Sequence, residues 1–357
     1  MRPREYDPIK TQPRLNLFRQ NTIIRLNLNE SSLDLPVSLK NKVWCRLRNL
    51  NWNRYPDEEN QELLFALADY CHQPPENILP GNGSNELIAT LFNSISPEGM
   101  VIIFRPSFSI YSRQLRAMRK NFMEIRIDIK KGYVPGAWLE KIPSAELVIL
   151  DSPNNPIGCI ISSDLLKEIL HRARGLVVVD EAYAEFSELS YTSWVRQFEN
   201  LAVIKTLSKA FRLAGARFGF LVSMKPNIDR LKKVHLPFSV GIFQQTAALV
   251  AIQERKIILQ QVEKIKKERE RIFSVLNNLS NFKPLPSRAN FLLVQTKTLR
   301  AKDVYLKLKA MGILVRIFDT PELENYFRVT IGSRRENDIF LQAIKFLEQE
   351  QKYEKRS

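Results

Sequence analysis

The sequence predicts an α/β fold: a large domain built on a mostly parallel sheet flanked by helices, followed by a smaller α+β domain. Three observations carry this. Short runs that are apolar throughout recur in the middle of the chain, which is the pattern of strands buried on both faces. Segments with helical spacing of apolar residues separate these runs, as crossover connections require. The last hundred residues then change to a strand–helix–strand–strand–helix order.

In chain order, "MVIIF" (100–104), "LVILD" (147–151), "LVVVDEAY" (176–183), "LAVIKTLS" (201–208) and "RFGFLVS" (217–223) read as strands. "NELIATLFNSI" and "SDLLKEILHRAR" read as helices between them. The stretch "ERKIILQQVEKIKKERERIF" spaces Ile257, Ile258, Val262, Ile265, Ile272 and Phe273 as one apolar face of a long helix, with a solvated basic face opposite. After it come "NFLLVQT", "AKDVYLKLKAMGILVRIF", "YFRVTIG" and a final helix from about Glu336. In "YFRVTIG", strand alternation puts Tyr326, Arg328 and Thr330 on one face and Phe327, Val329 and Ile331 on the other. The expected division is an N-terminal arm over 1–40 that packs on the small domain or on a partner subunit, a large domain over 41–255 and a small domain over 256–357.

Composition narrows the class. The chain has 357 residues, 44% of them hydrophobic, enough for a sizeable core. No run reaches the ~18 apolar residues of a membrane span, and the N-terminus lacks the apolar centre of a signal peptide. The three cysteines (Cys45, Cys71, Cys159) are dispersed and odd in number, with no metal spacing and no disulfide framework. That suits a reducing cytoplasm. The three histidines (His72, His171, His235) are isolated, and no metal is expected. The net charge of +16 is spread over several stretches rather than gathered in one arm. It reads as solvated faces, not as a nucleic-acid surface.

In open α/β sheets, ligands sit beyond the carboxyl ends of the strands, so the residues that follow each strand are the informative ones. Asn154, Asn155 and Pro156 follow "LVILD"; Asp180, Glu181 and Tyr183 close "LVVVDEAY"; Ser208, Lys209 and then Arg217 follow "AVIKT". Gly81 and Gly83 precede Ser84 at the start of a helix. Singly, each has a plain reading: Asp180 as a helix cap, Tyr183 as a packed ring, Ser84 as an N-cap, Asn155-Pro156 as a turn, Lys209 as a surface cation, Arg316 and Arg328 as solvated strand positions. Together they match one cofactor, pyridoxal 5'-phosphate. Its ring nitrogen must stay protonated, which a buried carboxylate such as Asp180 enforces. Its phenolic oxygen needs donors, supplied by Tyr183 and Asn155. Its aldehyde needs a lysine, Lys209. Its phosphate needs a helix N-terminus with small residues, hydroxyls and a cation, as Gly83, Ser84, Ser208 and Arg217 provide. Phe108 can cover the ring.

The segments "RYPD" (54–57), "GNGSNELI" (81–88), "PSFSIY" (106–111), "PNNPIG" (153–158), "VVVDEAYAEF" (177–186), "TLSKAFRLAGARFG" (206–219), "SRANFLLV" (287–294), "GILVR" (312–316) and "RVTIG" (328–332) resemble, in order, the histidinol-phosphate aminotransferases. These belong to the aspartate-aminotransferase-like class I/II enzymes that use pyridoxal phosphate. The resemblance implies an aminotransferase exchanging an amino group with 2-oxoglutarate or glutamate. It makes Lys209 the lysine that bonds the cofactor and shuttles the proton, and it adds Asn85 to the cofactor-binding set. Tyr55 would reach the cofactor phosphate of the other subunit, which implies a homodimer. Arg328 would receive the substrate's anionic group, with Arg316 as a second anion contact and Asn29 beside the substrate.

Departures from the family pattern fall mainly around the substrate. "LNLNESSLDLP" keeps Asn29 and Glu30 but lacks the family's Pro and Gly; Ser152, Ile157 and Asn85 replace Asn, Thr and Asp; Arg212 stands where the family has Gly. A phosphothreonine-decarboxylase relative and a non-catalytic basic binding protein on the same fold are the alternatives. The retained Lys209, Asp180 and Arg328 argue against the second, which would need none of them.

Overall fold

The computed structural model describes residues 23–354. Residues 1–22 of the expected arm lie outside the described residues. The chain forms two compact units. One holds Leu33–Lys264 with Ser287–Ala289; the other holds the described part of Met1–Ser32, Ile265–Pro286 and the described part of Asn290–Ser357. The division therefore assigns the segment from Leu33 onward to the larger unit, and it falls inside one long helix.

Along the chain, β1 (Ile24–Arg25) belongs to the smaller unit. The larger unit then begins with α1 (Val37–Leu47) and α2 (Gln61–Cys71). Its sheet strands are β2 (Ile78–Gly81), β3 (Met100–Arg105), β4 (Asn121–Arg126), β5 (Leu147–Asp151), β6 (Leu176–Asp180), β7 (Leu201–Thr206) and β8 (Gly219–Ser223). Between and after them run α3 (Ser84–Asn93), α4 (Ile110–Ala117), α5 (Ser163–Arg172), α6 (Lys225–Lys232) and α7 (Ile242–Gln253).

These strands make a seven-stranded sheet in the order β2-β8-β7-β6-β5-β3-β4. β8 is antiparallel to both its neighbours, and the other pairs are parallel. The apolar runs are strands because both faces are covered: every residue of β5, β6, β7 and β8 is buried. One face packs Leu147, Ile149, Leu176, Val178, Ala202 and Ile204 against the apolar stripes of α3, α4 and α6, including Leu87, Leu91, Leu115 and Leu231. The strands end earlier than the apolar runs suggest. β6 stops at Asp180 and β7 at Thr206, so Glu181–Tyr183 and Leu207–Lys209 lie in the connections that follow them. β2, which is short, and β4, which is less uniformly buried, carry no clear sequence pattern.

α8 (Arg255–Asn277) crosses from one unit to the other. Its apolar face holds Ile258, Val262 and Ile272, but two details differ from expectation: Ile257 is 48% exposed, and Arg269, counted with the solvated basic face, is 3% exposed. Arg269 Nε donates to Glu270 Oε1, so a carboxylate accompanies that buried cation.

The smaller unit continues with β9 (Phe282–Pro284), β10 (Phe291–Thr296), α9 (Ala301–Ala310), β11 (Ile313–Leu314), β12 (Arg316–Ile317), β13 (Tyr326–Thr330) and α10 (Arg334–Glu354). Its antiparallel sheet has the order β12-β13-β10-β9, and β1 pairs in parallel with β11. "GILVR" is thus two short strands, one pairing with β1 and one with β13. Phe327, Val329 and Ile331 enter a core with Leu292, Val294, Val304, Leu308, Phe340 and Ile344. Arg328 and Thr330 occupy the opposite face, as alternation requires, and that face is sheltered too: Arg328 is 7% and Thr330 1% exposed. Among the described residues, no helix is long and apolar enough to cross a membrane.

Candidate active site

β5 and β6 end side by side. Asp151 and Asp180 are partners in the parallel register, and the ladder continues past them through Ser152 N–H to Asp180 O at 2.9 Å. A buried strand that ends in aspartate places a carboxylate under the loops. Asp180 Oδ2 accepts from Tyr111 Oη at 2.7 Å, and Oδ1 accepts from Ala182 N–H at 3.0 Å. Burial pushes the Asp180 carboxyl up to about 6, against the donors and the Lys209 charge, which act in the opposite sense.

Lys209 lies just past β7, in a turn held by Leu207 N–H to Phe218 O and Leu213 N–H to Leu207 O, both 3.0 Å. Its Nζ stands 5.9 Å from the centroid of the Tyr183 ring, and Tyr183 is itself buried. Asn155 is buried, its N–H donating to Asp151 Oδ2 at 2.7 Å. Phe108 packs edge-on against Tyr111, 5.8 Å between centroids. Asp180, Tyr183 and Lys209 are therefore gathered, with Asn155 and Phe108 on the adjoining strand ends.

The phosphate-type residues form a second cluster. Ser208 Oγ accepts from Thr206 Oγ1 at 3.0 Å and from Arg217 Nη1 at 3.4 Å. Gly83 has φ +73°, which favours glycine, and a Cβ there would lie 2.8 Å from Arg217 Nη2. The helix α3 begins immediately after, with Gly83 as its N-cap residue, Ser84 at the first helical position and Asn85 next. Ser84 is thus not the N-cap. Gly219 lets the start of β8 lie close against the start of α3, since a Cβ there would sit 2.9 Å from Ser84 N. The larger unit thus brings a helix N-terminus, a serine hydroxyl and a guanidinium together, which is the chemistry of a phosphate cradle.

Other expected residues lie apart. Tyr55 is 81% exposed, stacks on Phe238 at 4.7 Å and hydrogen-bonds to none of these residues among those described. In the smaller unit, Arg328 Nη2 donates to Asn27 O at 2.8 Å and the guanidinium lies 5.3 Å from the Phe291 centroid. Asn29 is buried with φ 54°; its N–H donates to Thr330 Oγ1 at 3.0 Å, and its carbonyl accepts from Asn290 Nδ2 at 3.1 Å. Arg316 is exposed and pairs in register with Arg328. Arg212 does not reach the Ser208–Arg217 cluster. It has φ 62°, and its Nη1 donates to Asp34 O at 2.9 Å.

Sequence reasoning missed Tyr111, Asp151 and Gly219. Tyr111 sits on the apolar stripe of α4 and reads as core. Asp151 reads as the turn residue of a strand end. The only available signals were the tyrosine in the quoted "PSFSIY" and the second run ending in aspartate.

A buried acid, a lysine amine near a tyrosine ring, and a helix N-terminus with a serine and a guanidinium, all at the carboxyl side of a parallel sheet, are the groups a pyridoxal-phosphate site calls for. The donor set and the glycine-lined cradle fit that cofactor. The chain belongs to the family described as Aminotransferase class I and II, which it matches over residues 21–344, and enzymes of this family are pyridoxal-phosphate-dependent transaminases acting on an amino donor and a keto acceptor. It is 36% identical over 324 residues to the histidinol-phosphate aminotransferase of Thermococcus gammatolerans, covering 91% of this chain and 92% of that one. The fold is similar to that of the histidinol-phosphate aminotransferase from Clostridium acetobutylicum (TM-score 0.85, 24% identity, 92% of this chain and 100% of that chain). It is also similar to the Sinorhizobium meliloti enzyme in complex with pyridoxal-5'-phosphate (TM-score 0.82, 21% identity, 98% and 99% covered).

Proposed function

We propose that this chain transfers an amino group between histidinol phosphate and 2-oxoglutarate. The buried Asp180 carboxylate, with the Lys209 amine facing Tyr183 close by, is the observation that carries the aminotransferase chemistry. The substrate pair rests on the names of relatives such as the Thermococcus enzyme. When bound, the cofactor supplies an electron sink that lowers the cost of removing the substrate's α proton. In this reading Asp180 holds the ring nitrogen protonated, and Tyr183 and Asn155 face the phenolic oxygen. The cradle of Gly83, Ser84, Asn85, Ser208 and Arg217 binds the phosphate, and Phe108 covers the ring. Lys209 Nζ anchors the cofactor in the resting enzyme and carries the α proton during turnover.

We propose Arg328 as the receptor of the substrate's anionic group, because a guanidinium accepts carboxylate and phosphate alike through paired donors. Arg316 would add a second contact for phosphate. Asn29, whose N–H and carbonyl are engaged by Thr330 and Asn290, would shape the segment that carries the Asn27 carbonyl bonded to Arg328.

We further propose a homodimer in which Tyr55 completes the partner's phosphate site. Tyr55, Trp44, Trp52, Phe238 and Phe243 are all more than 40% exposed, and Trp52 contacts both Trp44 and Phe243. These two exposed aromatic groups, Trp44–Trp52–Phe243 and Tyr55–Phe238, call for cover, here a second copy. Free thiols at Cys45, Cys71 and Cys159 support a cytoplasmic setting.

The test is a panel of amino donors and acceptors followed at the cofactor's absorbance. Conversion of histidinol phosphate with 2-oxoglutarate, ahead of other pairs, supports the reading. Carbon dioxide release from a phosphorylated amino acid without amino transfer overturns it.

A further inference from the structure

Asp151 is a buried acid that the proposed chemistry does not use, and it is the meeting point of the loops around the site. Its Oδ1 accepts from Ser107 Oγ (2.8 Å) and Asn154 Nδ2 (2.8 Å), Oδ2 accepts from Asn155 N–H (2.7 Å), and the Tyr133 hydroxyl donates to the Asp151 backbone carbonyl (2.7 Å) with Oδ1 3.2 Å away. These donors come from separate segments: the loop after β3, the turn before Val134, and the loop after β5. Ser107 adjoins Phe108. Asn154 is further locked, its Nδ2 donating to Pro106 O (3.1 Å) and its Oδ1 accepting from Ile157 N–H (3.0 Å). Only a carboxyl offers enough lone pairs for all these donors at one strand end. Its cost is plain: the acid is buried and paired in register with Asp180, an arrangement that disfavours charge on both.

We propose that Asp151 is a positioning residue for pyridoxal phosphate: through Ser107 and Asn155 it sets the two loops that carry Phe108 and Asn155 against the cofactor. This rests on the cofactor roles given above for Phe108 and Asn155. Asp151 itself touches no substrate in this account; it acts through its donors. Replacing one oxygen with an amide, as in Asp151→Asn, turns an acceptor into a donor facing other donors. The loops then lose their common anchor while Asp180, Tyr111 and Lys209 stay in place.

The experiment titrates wild-type and variant apoproteins with pyridoxal phosphate, reading absorbance and the circular dichroism that the protein induces in the cofactor band. Asp151→Asn is expected to weaken binding by about ten- to a hundredfold, the scale of leaving buried donors without an acceptor, and to diminish the induced signal of the fully loaded protein. A merely structural role would lower the melting temperature and leave that signal as in wild type. Ser107→Ala removes one half-buried hydroxyl contact and keeps the fold. It is expected to weaken binding by about three- to tenfold, also with a reduced induced signal, and it decides the matter alone should Asp151→Asn not fold. Binding within about twofold of wild type with an unchanged induced signal overturns the proposal. Failure of the wild-type protein itself to take up pyridoxal phosphate overturns the cofactor reading and this proposal with it. Uptake by wild type with indifferent variants overturns this proposal alone.

Discussion

The Tyr111 hydroxyl donates a 2.7 Å hydrogen bond to Asp180 Oδ2, with both side chains buried beneath the strand-end loops. The phenol's donor role is secure, because burial and the Asp180 charge hold its own ionisation well above the ordinary range. It steadies the carboxylate proposed to face the cofactor's ring nitrogen.

Tyr111→Phe should therefore raise the Asp180 carboxyl further and weaken the cofactor's ion pair. A hydrogen bond to a charged group contributes about 1.5–3 kcal/mol, so a weakening of cofactor affinity up to that scale is expected. Spectral titration of the apoprotein measures it; affinity equal to wild type would show that the bond is idle.

Arg328→Ala should leave cofactor binding intact and cost about 2–5 kcal/mol of apparent substrate affinity, the scale for truncating one partner of a buried charged pair. Arg328→Lys should recover part of this, since a point charge replaces a fork. Arg316→Ala should hurt a phosphorylated substrate more than glutamate. Half-reaction kinetics on both substrates check all three; an enzyme indifferent to the phosphate group contradicts the anion assignment.

Most of the fold was legible because burial on both faces writes itself into β5 to β8 as short, mainly apolar runs. The residues proposed to hold the cofactor stand out for a related reason: Asp180, Ser208 and Lys209 are polar and fall at or directly after such runs. Tyr111 and Asp151 were not: a tyrosine on an amphipathic helix reads as core, and Asp151 ends its strand just as Asp180 does, so the strand-end pattern alone gives it no separate use. Only their meeting in space distinguishes them. Arg212 was opaque for another reason. Its backbone lies in the left-handed region that suits the family's glycine, and its side chain bonds a carbonyl, Asp34 O, that no local pattern announces.

Arg212→Gly relieves a left-handed side-chain penalty of about 1–2 kcal/mol but adds chain entropy of about 0.5–1 kcal/mol and loses the Asp34 bond. The net stability change should stay within about 1 kcal/mol. Denaturant unfolding tests this, and a loss several times larger would mean that the Arg212–Asp34 contact anchors far more than its own loop.

Acid dependence follows from Asp180. Burial raises its carboxyl from 3.8 to about 6 in the folded protein. A raised carboxyl contributes stability that is complete below the unfolded value and is lost as pH climbs through the folded one. Relative to Asp180→Asn, the wild-type apoprotein should thus lose stability between about pH 4 and pH 7. Thermal unfolding across that range checks it, and parallel curves for the two proteins would contradict it.

Shared sites are tested by mixing. Hybrid dimers of Tyr55→Phe and Lys209→Ala subunits should contain one fully native site and recover activity that the Lys209→Ala homodimer lacks. A fully active monomer in sedimentation would end the dimer proposal.

The most direct measurement is the location of the cofactor's bond. The protein loaded with pyridoxal phosphate is reduced with borohydride, digested, and its peptides weighed by mass spectrometry. A single modified lysine, Lys209, is expected, with no fixed cofactor in Lys209→Ala. A modification on any other lysine, or none in the wild-type chain, would contradict it.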